Sequence, residues 1–350
     1  MISLPPEKDK QTFAPSILGT IGNTPAIHLP KLEQELGCEI IVKLEFFNPT
    51  GSLKDRIYHQ MIDTAEEKKI LRSNMHILEC STGNAGISCA FVAAAKGYPC
   101  TIVMPEGMSN ERKKTIRAYG ASLIFTPGGE SDVDRALTKA EEIAASAPKK
   151  YWMPRQFSNP ENPKTHYQQT GPEFWRQLDG SIDVWVATQG TGGTLTGVGQ
   201  YFREQNPTVR IFAAEPSECP TLSRHGWGPH DIEGIGDGFV PQNLDLTLLD
   251  GIVTVSSDEA IEMTTFLAEK EGVFCGISSG ANLMAVKKLI RWDSSIKRIA
   301  TIINDNGQRY FSTRLFDSTL RKEKEQRAFE MDAYSKQELE KYQKRWTIID

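Results

Sequence analysis

A lysine, Lys54, closes the polar turn Asn48-Pro49-Thr50-Gly51-Ser52-Leu53 and is followed by Asp55-Arg56. An apolar, β-branched run from Glu39 to Phe47 precedes the turn, and Leu53, Ile57, Met61 and Ala65 then recur on one helical face. Ser52 with Asp55 three residues on fits a helix N-cap, which places Lys54 in the first helical turn. That end of a helix carries partial positive charge, so an ammonium is disfavoured there and a neutral or imine-bound amine less so. Taken alone, Lys54 reads first as a solvated surface lysine beside Asp55 and Arg56.

Three further turns open helices. Ser81-Thr82-Gly83-Asn84-Ala85-Gly86 follows the apolar run Ile77–Ser81, and its hydroxyls, amide and backbone N–H groups suit a carboxylate. It reads equally as a βα turn with a capping hydroxyl. Gly190-Thr191-Gly192-Gly193-Thr194-Leu195-Thr196-Gly197 follows Val184–Thr188 and has the makings of a phosphate cradle. No Lys or Arg occurs between Val184 and Arg203, so such a loop must hold its anion by N–H groups and helix dipole. A dinucleotide fingerprint would need glycine where Leu195 stands, and a P-loop would need Gly-Lys-Ser/Thr. Gly276-Ile277-Ser278-Ser279-Gly280-Ala281 offers a hydroxyl at a helix start, equally readable as an N-cap. One lysine, one carboxylate cradle, one phosphate cradle without positive charge and one hydroxyl fit a single cofactor, pyridoxal phosphate.

The elements that must carry these turns alternate along the chain. Strand candidates are Ile40–Phe47, Ile77–Ser81, Cys100–Pro105, Ser122–Thr126, Val184–Thr188, Arg210–Glu215, Ile252–Ser256 and Arg298–Asn304. Helical patterns lie between them, including Ile87–Lys96, Ser109–Tyr119, Asp132–Ala147 and Glu259–Glu271, the last opened by a Ser256/Glu259 capping box and stopped at Gly272. Repeated βα units imply parallel strands covered by helices. The Pro/Asn-rich stretch Phe157–Pro163 is the best internal boundary. After Leu320 the chain becomes highly charged with no strand pattern and reads as an exposed helix or tail.

Composition narrows the classes. At 350 residues the chain is long enough for two domains, and 24% charged with 9% aromatic residues excludes disorder. Forty Lys+Arg against 45 Asp+Glu argues against a general nucleic-acid binder. No apolar run approaches the ~20 residues that span a bilayer. The polar N-terminus is not expected to be a secretory signal. The six cysteines are scattered, without a C-x-x-C, and read as small buried thiols in a reducing cytosol; the histidines form no metal-ligand cluster, and no metal is expected.

In order along the chain, KLEFFNPTGSLKDR, STGNAGIS, RQFSNPENP, GTGGTLTG, EGIGDGFVP, GISSGA and GQRYFST resemble the motifs of the cysteine synthase/cystathionine β-synthase family, fold-type-II pyridoxal-phosphate enzymes. The resemblance covers about residues 16 to 318. It implies an α/β, tryptophan synthase β-like architecture with parallel-rich twisted sheets covered by helices. A large domain would comprise 16–54 plus 161–318 and a small mobile domain 55–160, with an N-terminal extension at 1–15 and a charged C-terminal helix or tail at 319–350. Lys54 would form the internal aldimine and act as Cα base. Asn84 would bond the cofactor's ring hydroxyl, Gly190, Thr191, Gly192, Gly193 and Thr194 would hold its phosphate, and Ser278 would face its pyridine nitrogen. Ser81, Thr82 and Gln156 would bind the substrate carboxylate.

The implied activity is β-replacement on an activated L-serine through an α-aminoacrylate, foremost cysteine synthase: O-acetylserine plus sulfide. Sibling chemistries are cystathionine formation, O-phosphoserine sulfhydrylation and 2,3-diaminopropionate synthesis. A serine/threonine dehydratase and a non-catalytic binding homologue rank below them. The family also implies a cytoplasmic homodimer, with the tail of serine acetyltransferase as a further partner; neither heme-type nor regulatory extensions are expected. The sequence departs from the family pattern at Ala85, Arg155, Asp237 and Asn304-Asp305-Asn306, all in or near motifs expected to line the cleft.

Overall fold

A computed structural model describes residues 13–81, 83–129, 132–317, 319–320 and 329–350. Its strands are β1 (Ala26–His28), β2 (Glu39–Leu44), β3 (His76–Cys80), β4 (Cys100–Pro105), β5 (Ser122–Thr126), β6 (Tyr151–Trp152), β7 (Val184–Thr188), β8 (Arg210–Pro216), β9 (Gly251–Val255), β10 (Arg298–Ile303) and β11 (Thr347–Ile349). Two sheets result. The larger has the order β1-β2-β10-β7-β8-β9-β11 and the smaller β5-β4-β3-β6. Every pairing is parallel except β1 with β2, which is antiparallel at the edge.

The alternation of side chains along a strand explains why these runs carry few polar residues. Ile40, Val42 and Leu44 enter one apolar layer and Ile41 the opposite one; Val184 and Val186 divide in the same way from Trp185 and Ala187. Each fully buried side chain of this size contributes roughly 1.5–3 kcal/mol. The smaller sheet is likewise apolar on both faces. Among the described residues no helix is long and apolar enough to cross a membrane.

Differences from the sequence reading have local causes. The run expected as strand to Phe47 leaves the sheet at Leu44, and Glu45–Phe47 form a 3-10 turn. Glu45 is fully buried against Arg56, whose Nε and Nη2 donate to it at 2.7 and 2.8 Å. The same guanidinium donates to Glu173 at 2.9 and 2.7 Å, and Lys43 Nζ lies 3.2 Å from Glu173. This cluster anchors the first turn of the Lys54–Glu67 helix to β2. The segment after Leu320, expected as an exposed helix or tail, does hold a helix, Ala333–Tyr342, but it ends in a strand that was not expected, β11, which extends the large sheet beside β9. Three residues are too few to show a period, and their partners lie near residue 251.

Candidate active site

Parallel strands aim their carboxyl ends at one side of a sheet, where sites collect. Leu44 of β2 pairs with Ile303 of β10, and β7 flanks β10 on its other side, so the turns at 45–53, 189–193 and 304–309 emerge together. The 304–306 turn is pinned between two others. Leu53 N donates to Asn304 O at 3.0 Å, Asn306 N to Gly51 O at 3.2 Å, and Gly276 N to Asp305 O at 3.3 Å.

These turns and the end of β3 enclose a cleft of about 870 Å³ including its open mouth. Lys54, Ser81, Asn84, Gln156, Gly190, Thr191, Gly192, Gly193, Thr194 and Ser278 all line it. Thr82 lies outside the described residues. Lys54 is the first residue of its helix, and its N–H donates to Ser52 Oγ at 3.3 Å. The expected pairing of Asp55 with that cap does not form. Asp55 instead turns back to accept from Thr50 N and Oγ1 at 2.7 and 2.5 Å and from Ser88 Oγ at 2.6 Å. Burial lowers the Lys54 amine to about 8, against the opposing pull of Asp237 and Asp305. A neutral amine, the form that can act as nucleophile or base, is therefore accessible near neutral pH.

The glycine-rich turn opens the Gly193–Gln205 helix, with Gly192 left-handed at φ 78°. Its hydroxyls are held from behind. Asn162 Nδ2 donates to Thr191 Oγ1 at 3.0 Å, and Thr194 Oγ1 lies 3.1 Å from His166 Nε2. His166 sits in a π-helical segment, His166–Thr170, a distortion often found at functional sites. Ser278, in the first turn of the Ile277–Trp292 helix, accepts from Asn304 Nδ2 at 3.0 Å. Its own proton is thereby free to face the cleft.

At the other cradle, Ser81 Oγ accepts from Gly83 N at 3.0 Å and Gly86 N at 2.7 Å. Ser81 thus caps the Asn84–Lys96 helix and keeps only its proton for a ligand. Gln156 Nε2 donates to Cys80 O at 3.1 Å, which fixes its amide at the cleft wall. Asn84 Nδ2 donates to Asp305 Oδ2 at 2.7 Å. Of the departures from the family pattern, Ala85, Asp237 and Asn304 line the cleft, whereas Arg155 is exposed and faces Glu141 at 3.4 Å.

Several residues went unnoticed in the sequence reading. Asn162 lay in the quoted RQFSNPENP motif without a role, and His166 carried no signal beyond being a lone histidine. Arg112 and Glu233 form an ion pair that also lines the cleft, joining the Asn110–Ala118 helix to the loop before Asp237. Their separation in sequence concealed this.

Residues 17–305 match the family described as pyridoxal-phosphate dependent enzyme. Cysteine synthase A of Escherichia coli K12 is 44% identical over 306 residues, 85% of this chain and 94% of that protein. A hydrogen sulfide-producing enzyme of Fusobacterium nucleatum superposes with a TM-score of 0.81 at 38% identity, covering 85% of this chain and all of the other. A cysteine synthase of Entamoeba histolytica superposes at 0.83 and 31% identity over 98% of this chain and 99% of its own.

Proposed function

The chain belongs to the pyridoxal-phosphate-dependent enzymes and, within them, to the cysteine synthase family, and from that premise we propose that it makes L-cysteine from O-acetylserine and sulfide. The observation that carries the reading is the convergence of a low-pKa lysine, a cation-free glycine/threonine cradle and a neutral serine hydroxyl in one cleft. These residues fit pyridoxal phosphate: an amine for its aldehyde, N–H groups and hydroxyls for its phosphate, and a hydroxyl donor for an unprotonated ring nitrogen.

The bound cofactor supplies an electron sink that makes the substrate Cα proton acidic and lets a β-substituent depart. Lys54 Nζ would hold the cofactor through its aldehyde carbon and, once released, would take the substrate Cα proton. Thr191 and Thr194, set by Asn162 and His166, donate to phosphate together with the backbone of Gly190, Gly192 and Gly193. Ser278 would donate to the ring nitrogen without protonating it. Ser81, Thr82 and Gln156 would bind the substrate carboxylate, and Asn84 would bond the ring oxygen. Lys54 would return the proton to Cα once acetate had left with the C–O bonding pair and hydrosulfide had added at the same carbon. Residues 55–160 act as the small mobile domain, with 16–54 and 161–318 as the large one; closure keeps water from the reacting carbon. The protein works as a cytoplasmic homodimer, and the cleft takes the tail of serine acetyltransferase.

A second reading replaces sulfide by an amine-bearing nucleophile such as homocysteine. It draws on Asp237, a carboxylate on the cleft wall whose charge suits the ammonium group of such an acceptor. The test is product analysis of the cofactor-loaded protein given O-acetylserine with sulfide, homocysteine or ammonia. Cysteine as the dominant product supports the proposal; turnover with only the amine-bearing acceptors favours the second reading.

A further inference from the structure

We propose that Asp305 is a positioning residue that locks the amide of Asn84 with an N–H, and not its oxygen, turned into the cleft. The proposal rests on the cofactor-binding reading given above and adds a residue to it. Asp305 itself is fully buried behind the cleft.

Its placement is rigid. The backbone is held from the Lys54 turn on one side and the Ser278 turn on the other, through bridges pairing Ser52 with Asp305 and Cys275 with Asn306. The carboxylate packs on Gly276, where a Cβ would collide with Asp305 Oδ1 and with the Tyr310 ring. Tyr310 Oη donates to Asp305 Oδ2 at 2.7 Å.

The orientation of Asn84 then follows from donor and acceptor chemistry. Asp305 Oδ2 receives Asn84 Nδ2 at 2.7 Å, and Arg309 Nη1 donates to Asn84 Oδ1. A carboxylate can only accept and a guanidinium can only donate, so a flipped amide would oppose like groups at both contacts. Arg309 is itself tied to Thr50 O, in the turn that leads to Lys54. Asn84 Nδ2 retains a second N–H, and Asn84 lines the cleft with Lys54 and Ser278. What faces it must be an acceptor, and an anionic ring oxygen on the cofactor fits. A serine in place of Asp305 could both donate and accept and would leave the amide free to turn.

The experiment uses the cofactor-loaded protein and the ratio of the two absorbance bands of the Lys54-bound cofactor, near ~410 and ~330 nm, which reports the charge on the ring oxygen. Asp305→Ala is expected to lower the visible-to-ultraviolet ratio several-fold, and Asp305→Glu, which keeps an acceptor-only carboxylate, to recover part of it. In an Asn84→Ala background, Asp305→Ala should change the ratio no further. A parent-like ratio in Asp305→Ala, or the same drop in the Asn84→Ala background, overturns the proposal. Should Asp305→Ala not fold, Asp305→Ser is expected to show a smaller drop, and a parent-like ratio there overturns it equally. Failure of the unaltered protein to form a borohydride-reducible adduct would instead overturn the cofactor reading, and the role of Asp305 with it.

Discussion

His166 reaches Thr194 Oγ1 through Nε2 at 3.1 Å while its Nδ1 lies 3.0 Å from Thr170 Oγ1. Burial, reinforced by Arg56, depresses the imidazole to about 3, so the ring is neutral at physiological pH. A neutral ring with its proton on Nε2 donates to Thr194 and frees the threonine hydroxyl to donate to phosphate. His166→Phe and Thr194→Ala should each weaken cofactor binding by about 1–2 kcal/mol, roughly five- to thirtyfold. Because they break one chain of bonds, the double variant should be little worse than either single. Gly192→Val should expel the cofactor, since φ is 78° and the Leu244 backbone lies 2.8 Å from where a Cβ would stand. Equilibrium dialysis measures all four; additive losses would exclude the His166–Thr194 relay.

Arg56 neutralises two carboxylates, Glu45 and Glu173, while itself buried. Arg56→Ala should cost about 3–5 kcal/mol in urea unfolding at neutral pH, because it leaves buried charge unpaired. Burial alone would raise Glu45, yet Arg56 brings it from 4.5 to about 2. A depressed carboxylate stabilises above its unfolded pKa and loses that contribution as pH falls through the folded one. The difference between parent and variant should therefore shrink as pH falls from about 4.5 towards about 2.

Lys54 gives a functional pH dependence. Capture of an aldehyde needs the neutral amine, and burial brings the Lys54 amine down from 10.5 to about 8. The rate at which apoprotein captures pyridoxal phosphate should rise with pH and reach half its maximum near 8. A midpoint near 10.5 would show that burial does not lower this amine.

On the proposed assignment, Ser278 sets how strong an electron sink the site maintains. With Asn304 donating to its oxygen at 3.0 Å, the hydroxyl can donate to a ring nitrogen but cannot protonate it. Loss of acetate from O-acetylserine should survive appreciably in Ser278→Ala and fall much further in Ser278→Asp, which favours ring protonation. Equal rates in parent and Ser278→Asp would remove Ser278 from the nitrogen.

Much of the fold was legible because its strands are short apolar runs bounded by breakers. Cys100–Pro105, Ser122–Thr126 and Val184–Thr188 read to the residue, and the Ser256/Glu259 box forms as spaced. Ala26–His28 and Thr347–Ile349 were invisible, since three residues show no period and their pairing is decided by strands elsewhere. The cleft-lining turns were legible from glycine and hydroxyl content at helix starts. Their supports were not. Asn162 lies 29 residues from Thr191, His166 lies 28 from Thr194, and Asp305 lies 221 from Asn84. Such contacts exist only once the turns converge, and only the unusual Asn304-Asp305-Asn306 stretch marked one of them in advance.

The proposed function stands on Lys54 as the residue that would hold pyridoxal phosphate in this cleft. Borohydride reduction of the loaded protein, followed by proteolysis and tandem mass spectrometry, tests it most directly. One dominant adduct is expected, on Lys54, absent from Lys54→Ala even though that variant should still bind the cofactor through the Gly190–Thr194 turn. A dominant adduct on any other lysine would contradict it.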